Sequence, residues 1–295
     1  MLIVGEDLDH YHSHPACSHS KLRDFDSLGP KGYYLRHVKR EQPRPDTKAL
    51  RAGRAFETYL TEPETFKAWF VVKPEDYNGR TNKWKDWATE QELSGKTILD
   101  RDDFLAFEHM AKAVRECSSA MALLEAGVAQ PTFRIDWGGL PGVQSRPDFA
   151  NIEGCPRSDF RPYTLDLKTT KQLSDITTGR AIVKFGHHTQ AAMARIACQE
   201  PECVSYLLAV EKAFPCRAVI VEIERTFVNI GEDWALSTLA RLAEHYETDH
   251  WPLTVDDSVV VSAPRWLLAE YDAQFSDDPG DVEEGEAVAE AAESP

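Results

Sequence analysis

Three segments with strand-like alternation follow one another between two helical segments, and few folds accommodate that order. Residues 131–137, 143–152 and 162–169 are predicted strands. The segment before them, 102–125, carries apolar residues at helical spacing, and residues 187–199 return to the helical period. Strands and helices that interleave in this way predict a mixed α/β fold.

Further elements are predicted on both sides of this region. The helices are 18–37 (interrupted around Gly29-Pro30), 47–61 (ended by Pro63), 231–248 and a short closing helix at 264–273, and the strands are 204–210 and 216–224. Residues 274–295 are acidic and lack aromatics after Phe275, so we expect a disordered tail. The predicted organisation is one domain, 1–273, followed by that tail.

Composition limits the environment of the protein. A chain of 295 residues with 42% hydrophobic content has enough apolar side chains for a sizeable core. It has no run of about 18 apolar residues, as a membrane span requires, and its first residues do not have the pattern of a signal peptide. The six cysteines are scattered without a C-x-x-C pair, which indicates reduced thiols in the cytoplasm.

Charge is distributed unevenly along the chain. The net charge is −16, which argues against broad nonspecific binding to a polyanion. Residues 275–295 hold eight acidic residues and no basic one, whereas residues 31–54 hold eight basic and two acidic residues. The basic segment is either a contact for a phosphate backbone or a solvated helix face and loop.

The segment TLDLKTTK, residues 164–171, places two opposite charges on one face of a strand. Side chains alternate along a strand, so Asp166 and Lys168 point to one side while Leu165 and Leu167 point to the other. One interpretation is an ion pair on a solvated strand face. The other is a site in which the carboxylate binds a metal and the lysine acts on a water or an anion.

A turn at GCPRSD, residues 154–159, predicts that the strands on either side of it form an antiparallel hairpin. Centring the hairpin near residue 157 places Asp148 opposite Asp166. Directly opposed side chains lie about 5 Å apart at Cβ, so two carboxylates there repel each other unless a cation lies between them. The alternative is a pair of acids separated by solvent.

Two helical segments contribute further polar candidates on apolar stripes. Glu57 lies on a stripe with Leu50, Gly53 and Leu60, and it is either a metal ligand or a partner of Arg51 or Arg54. Gln190 lies in line with three apolar residues of its helix, and its amide either serves the site or binds a backbone group.

Carboxylate ligands of this kind suit Mg²⁺, or Mn²⁺, better than zinc. Such a cation can bind a phosphate oxygen and acidify a water, and a nearby lysine can stabilise the growing charge. Phosphodiester hydrolysis therefore fits better than acyl or glycosyl transfer. The histidines His10, His12 and His14, with His19 near them, are a less favoured metal site before the main fold.

The motifs RPDF (146–149), LDLKTT (165–170) and HHTQAAMA (187–194) resemble the PD-(D/E)XK nuclease superfamily. More specifically, they resemble the RecE-type exonucleases (exodeoxyribonuclease VIII) of phages and prophages. The resemblance extends over some 260 residues, including AGRAFETYLTEPETF (52–66) and SYLLAVEKAFP (205–215).

This resemblance implies a three-layer α/β core with a mixed central sheet flanked by helices. It implies magnesium-dependent digestion of linear double-stranded DNA from 5′ ends, which leaves 3′ single strands for recombination. A ring-like homo-oligomer such as a tetramer, a single-strand annealing recombinase (RecT-like) as partner and a bacterial host cytoplasm are implied as well.

The resemblance also implies roles for individual residues. Asp148 and Asp166 correspond to metal ligands, the Leu167 carbonyl to a further ligand, Lys168 to the catalytic lysine, and Gln190 to a glutamine that orients the lysine or the DNA. The candidate DNA contacts, in the basic segment and beside the motifs, are Arg40, Arg44, Arg51, Arg54, Arg146 and Thr169.

Three positions depart from the family pattern. Glu57 occupies a position that usually carries histidine, Gln130 one that is often acidic, and Ala194 one that is often tyrosine. Glu57 is thereby added to the candidate metal ligands. These departures leave room for a non-catalytic DNA- or protein-binding protein on a nuclease scaffold. A single-strand-preferring Cas4-like nuclease is disfavoured because no cysteine cluster is present.

Overall fold

The computed structural model describes residues 1–42, 47–152 and 161–253, together with Leu268. Its helices are α1 (Leu8–Ser13), α2 (His19–Tyr33), α3 (Lys48–Thr61), α4 (Pro63–Trp69), α5 (Asn82–Leu93), α6 (Arg101–Glu116), α7 (Ser118–Ala126), α8 (Leu173–Thr177), α9 (Arg180–Lys184), α10 (His187–Cys198) and α11 (Arg225–Thr248). Its strands are β1 (Leu2–Ile3), β2 (Phe70–Val72), β3 (Thr97–Leu99), β4 (Val128–Ala129), β5 (Thr132–Trp137), β6 (Leu140–Ser145), β7 (Phe149–Asn151), β8 (Tyr163–Thr170), β9 (Val204–Glu211) and β10 (Ala218–Ile223).

A five-stranded mixed sheet in the order β10-β9-β8-β7-β4 forms the centre of the fold. Strands β8 and β9 are parallel, and the other neighbouring strands are antiparallel. The interior strand β9 is buried along almost its whole length, as expected for a near-continuous apolar run covered on both faces. The motif strand β8 lies between β9 and β7, in the interior of the sheet.

Helices cover both faces of this sheet. On one face, Leu165 and Leu208 pack in a core with Phe56 of α3 and Phe107 of α6. On the other face, side chains of β7 and β9 pack against α10 and α11, as Ala150 does in the cluster that includes Met193 and Leu239. Each layer buries the apolar stripe of its helices against the sheet, which gives the three-layer α/β architecture that was predicted.

Two smaller sheets complete the described structure. Strands β1, β5 and β6 form a three-stranded antiparallel sheet, and β2 pairs with β3 in a parallel pair. The three-stranded sheet shares its core with α2, α10 and α11. It thereby joins the N-terminal segment to the helical layer that carries Gln190.

Two predicted elements are each divided in the structure. The segment 102–125 forms α6 and α7, which are separated at Cys117, because the backbone there turns to an extended conformation (φ −86°, ψ 97°). The segment 143–152 forms β6 and β7 in different sheets, because Pro147, which has no N–H, lies in the connection between them. The predicted interruption of the first long helix is confirmed at Gly29, whose φ is 70°.

Several predictions concern parts of the chain outside the described residues. These are the turn at 154–159, Arg44, the closing helix at 264–273 apart from Leu268, and the acidic tail at 274–295. Residues Met1–Thr254 form a compact unit by themselves. Within the described residues, no helix is both long enough and apolar enough to cross a membrane.

Candidate active site

The hairpin of β7 and β8 has the register that the sequence predicted. Phe149 pairs with Leu165, so one further step along the two strands brings Asp148 opposite Asp166. The backbone N–H of Leu167 donates a hydrogen bond to the Asp148 carboxylate at 2.5 Å. The two acidic side chains of the motif are therefore brought together by strand pairing and by a backbone hydrogen bond.

Lys168 lies on the same strand face as Asp166. Its Nζ is 3.5 Å from Asp166 Oδ1, and the same oxygen accepts a hydrogen bond of 2.8 Å from Gln190 Nε2 of α10. Asp166 is only 7% exposed and the Lys168 side chain 24%, so this pair is not a solvated surface ion pair. Helix α10 thus fixes the carboxylate that the lysine faces.

Glu57 reaches the site from α3, which covers the opposite face of the sheet from α10. Its Oε1 accepts a hydrogen bond of 2.9 Å from Gln130 Nε2, and its carboxyl group is also in hydrogen-bond contact with that of Asp148. Glu57 is thus close to the motif carboxylates, as its position on the apolar stripe suggested. The Gln130 contact joins residues 73 positions apart and was not predicted from the sequence.

The electrostatics of this cluster are those of crowded carboxylates beside one ammonium. Burial raises the pKa of Glu57 despite the opposing effects of Lys168, Asp148 and Gln130. Burial and the nearby charge of Glu57 raise the pKa of Asp148 well above its ordinary value. Burial alone would lower the pKa of Lys168, but Asp166, Asp148 and Glu57 together raise it, so the lysine is cationic at neutral pH.

This donor set fits a hard divalent cation. Two adjacent, half-buried carboxyl groups favour binding a proton or a cation between them, and oxygen donors suit Mg²⁺ or Mn²⁺. In residues 1–42, 47–152 and 161–253, no three His, Cys, Asp or Glu side chains already surround a common point. Glu57 and Asp148 would hold the ion, and Asp166 and the Leu167 carbonyl are the further predicted ligands.

The predicted DNA contacts lie in different environments. Arg51 and Arg54 are exposed on α3, and Arg40 donates a hydrogen bond to the Ser13 carbonyl. Thr169 is partly buried and follows Lys168, so its side chain points to the opposite face of β8.

Arg146 is directed into the protein. Its guanidinium donates hydrogen bonds to Gln130 Oε1 at 2.7 Å and to the Glu6 carbonyl at 2.8 Å, and it lies over the ring of Tyr11. These contacts make it part of the support of the site.

Two histidines near the site were not predicted as site residues. His19 Nε2 lies 2.8 Å from Thr189 Oγ1, and burial together with Arg23 and Lys168 lowers the pKa of His19 to about 3. Burial and Lys168 also lower the pKa of His187 to about 4, so both rings are neutral at neutral pH. In the sequence, the indication that His187 lies near the site was its position one helical turn before Gln190.

A mixed sheet between helical layers, with acids on two paired strands and a lysine two residues after the second acid, defines a PD-(D/E)XK-type protein. The profile of the family described as "PDDEXK-like domain of unknown function (DUF3799)" matches residues 18–259. The chain belongs to this family. No curated protein matches it.

A solved structure from another protein supports this fold. A protein from Eubacterium rectale described as a "putative exonuclease" superposes with a TM-score of 0.59 at 11% sequence identity, covering 91% of this chain and 98% of that one. The alkaline exonuclease LHK-Exo from Laribacter hongkongensis matches with a TM-score of 0.27 at 13% identity, covering 66% of this chain and 94% of that one. The second likeness is too low to support an argument.

Proposed function

We propose that this protein is a divalent-metal-dependent DNA exonuclease. The observation that carries the proposal is the proximity of Asp148, Glu57, Asp166 and Lys168 beside strand β8, with Gln190 bonded to Asp166. Family membership and the exonuclease description of the Eubacterium rectale protein support the same reaction class.

The side chains divide the work of hydrolysis among them. A bound Mg²⁺ or Mn²⁺ supplies Lewis acidity toward a phosphate oxygen and a water. Glu57, Asp148 and Asp166 would hold that ion. Lys168, which is held cationic by its acidic neighbours, stabilises negative charge on the attacking water and on the phosphate. Gln190 keeps Asp166 in place, so that Lys168 remains directed toward the reacting phosphate.

The finer proposal follows the sequence resemblance. The substrate is linear double-stranded DNA, digested from 5′ ends with release of nucleotides, which leaves 3′ single strands for recombination. The setting is a bacterial cytoplasm, with a homo-oligomer such as a tetramer around the DNA and a single-strand annealing recombinase as partner. Among the arginines, Arg40, Arg51 and Arg54 remain the proposed phosphate contacts within the described residues.

The test compares linear duplex, labelled at its 5′ or its 3′ ends, with covalently closed duplex in Mg²⁺ and in Mn²⁺. We expect loss of the linear form only, with early release of the 5′ label. Lys168→Ala should abolish cleavage. The matched control is Lys112→Ala, since Lys112 is an exposed lysine of α6 that pairs with Glu116.

Each of the other possible results would indicate a different activity. Cleavage of the closed form would indicate an end-independent nuclease, and preference for single strands would favour the Cas4-like alternative. If neither metal supports cleavage and Lys168→Ala changes nothing, the nuclease proposal is wrong and the scaffold is a binding protein.

A further inference from the structure

Gln130 is bonded to both residues of the touching carboxyl pair. Its side-chain Nε2 donates to Glu57 Oε1 at 2.9 Å, and its backbone N–H donates to the carbonyl of Asp148 at 2.8 Å. Its backbone is in the left-handed region (φ 48°), which non-glycine residues adopt only rarely. Gln130 is therefore held in an unfavourable backbone conformation at the point where it supports both acids.

Arg146 determines which way the amide of Gln130 faces. A guanidinium can only donate hydrogen bonds, so the Gln130 atom 2.7 Å from Arg146 Nη2 must be the carbonyl oxygen. The NH₂ group must then face Glu57. With the opposite orientation, the amide oxygen would face a carboxylate and the NH₂ group would face a cation.

Arg146 is itself held in place by the N-terminal segment. Its second nitrogen, Nη1, donates to the Glu6 carbonyl at 2.8 Å, and the guanidinium lies over the Tyr11 ring, 5.8 Å from the ring centre. The Glu6 side chain in turn accepts hydrogen bonds from Arg134. A continuous series of hydrogen bonds thus joins the N-terminal segment to a carboxylate of the site.

We propose that Gln130 and Arg146 are positioning residues that present Glu57 to the divalent cation and set the affinity of the site for it. This inference rests on the proposed function, since it assumes a cation at Glu57 and Asp148. A neutral donor on one oxygen of Glu57 fixes the direction of the carboxyl group without placing another charge beside it. A cation in the place of Gln130 would compete with the metal for that charge.

The experiment measures Mn²⁺ binding by electron paramagnetic resonance of free Mn²⁺, without DNA and independently of activity. Gln130→Met has a side chain of nearly the same shape without hydrogen bonds, and we expect it to lower Mn²⁺ affinity about tenfold or more, as the loss of such supporting contacts typically does. Arg146→Met should lower affinity in the same direction. The double variant should bind no more weakly than the weaker single one, because both residues act through one contact.

The control and the second variant separate positioning from folding. Gln199→Met is the control, since Gln199 is also left-handed (φ 57°) and is exposed at the end of α10. It should bind Mn²⁺ as the wild type does. Gln130→Asn keeps a residue that tolerates the left-handed conformation but is too short to span Glu57 and Arg146, and it should lose affinity as Gln130→Met does.

The outcomes distinguish the two proposals. If the wild type binds Mn²⁺ and Gln130→Met binds it within twofold as tightly, the positioning role is wrong while the nuclease proposal stands. Single effects that multiply in the double variant would show that Arg146 does not act through Gln130, which also overturns the inference. A wild type that binds no Mn²⁺ overturns both.

Discussion

Replacing Glu57 by Gln is expected to stabilise the metal-free protein while weakening its response to metal. The substitution keeps the shape of the side chain and its acceptor for Gln130 Nε2. It also replaces the contact between two carboxyl groups by a contact in which an amide can donate a hydrogen bond to the Asp148 carboxylate. Two unit charges about 4 Å apart repel by about 4 kcal/mol at an effective dielectric constant near 20.

Only part of that repulsion will be recovered as stability. Protonation and the Lys168 ammonium already relieve some of it, since the pKa of Glu57 and that of Asp148 are raised. A single stabilising substitution commonly raises the free energy of unfolding by about 0.5–2 kcal/mol. In a domain of this size, each 1 kcal/mol corresponds to roughly 2–4 °C in Tm. We therefore expect Tm to rise by about 1–8 °C in EDTA at pH 7.

Thermal unfolding followed by circular dichroism in EDTA and in Mg²⁺ measures both effects. A carboxyl group whose folded pKa is raised favours the folded state below its unfolded pKa and loses that contribution as pH rises through the folded pKa. The gain from Glu57→Gln should therefore shrink as pH falls from 7 toward 4. Glu108→Gln, at an exposed position of α6, is the control and should shift Tm little. A variant no more stable than the wild type in EDTA at pH 7 would refute the account of a repulsive carboxyl pair.

Three further substitutions test the surroundings of the site. Gln190→Leu removes the hydrogen bond to Asp166 and is expected to lower kcat about tenfold without unfolding the protein, measured by steady-state cleavage alongside circular dichroism. An unchanged rate would show that the amide is not needed there. Gly231→Ala would place a methyl group 2.5 Å from the His188 carbonyl oxygen, so urea unfolding should show a loss of about 1–3 kcal/mol. At Gly53 in α3, an added methyl group meets no atom within 4 Å, so Gly53→Ala should raise the free energy of unfolding by about 0.5–1 kcal/mol in the same assay. If Gly231→Ala were the more stable of the two variants, the packing between α10 and α11 would be contradicted.

The parts of the site that follow from local geometry could be predicted from the sequence. The register of β7 and β8 follows from turn position and from a side-chain period of two, so Asp148 and Asp166 could be placed opposite each other. Glu57 could be selected because a carboxylate on an apolar helical stripe needs a partner. The apolar period across residues 102–125 did not reveal the break at Cys117, since the backbone turns there without proline or glycine.

The parts that depend on contacts between distant segments could not be predicted. Arg146 was interpreted as a DNA contact because basic residues beside a nuclease motif are reasonable phosphate ligands. Its direction is decided by Gln130 and by the Glu6 carbonyl, which is 140 residues away in the chain. Sequence spacing gives the element on which a side chain lies, whereas its partner depends on how β5, β6 and the N-terminal segment pack together.

The contact between Glu57 and Gln130 gives two of the departures from the family pattern a common meaning. Considered separately, an acid at position 57 and an amide at position 130 change the ligand set in opposite ways. In the structure the two side chains are hydrogen bonded at 2.9 Å, so the carboxylate gained at one position lies beside the one missing at the other. The number of negative charges at that point is thereby kept, and the amide supplies a neutral donor that a second carboxylate could not. Ala194, at 1% exposure, lies in a closely packed part of α10. On the proposed function, the acid and amide departures therefore keep an acidic donor at this point of the site.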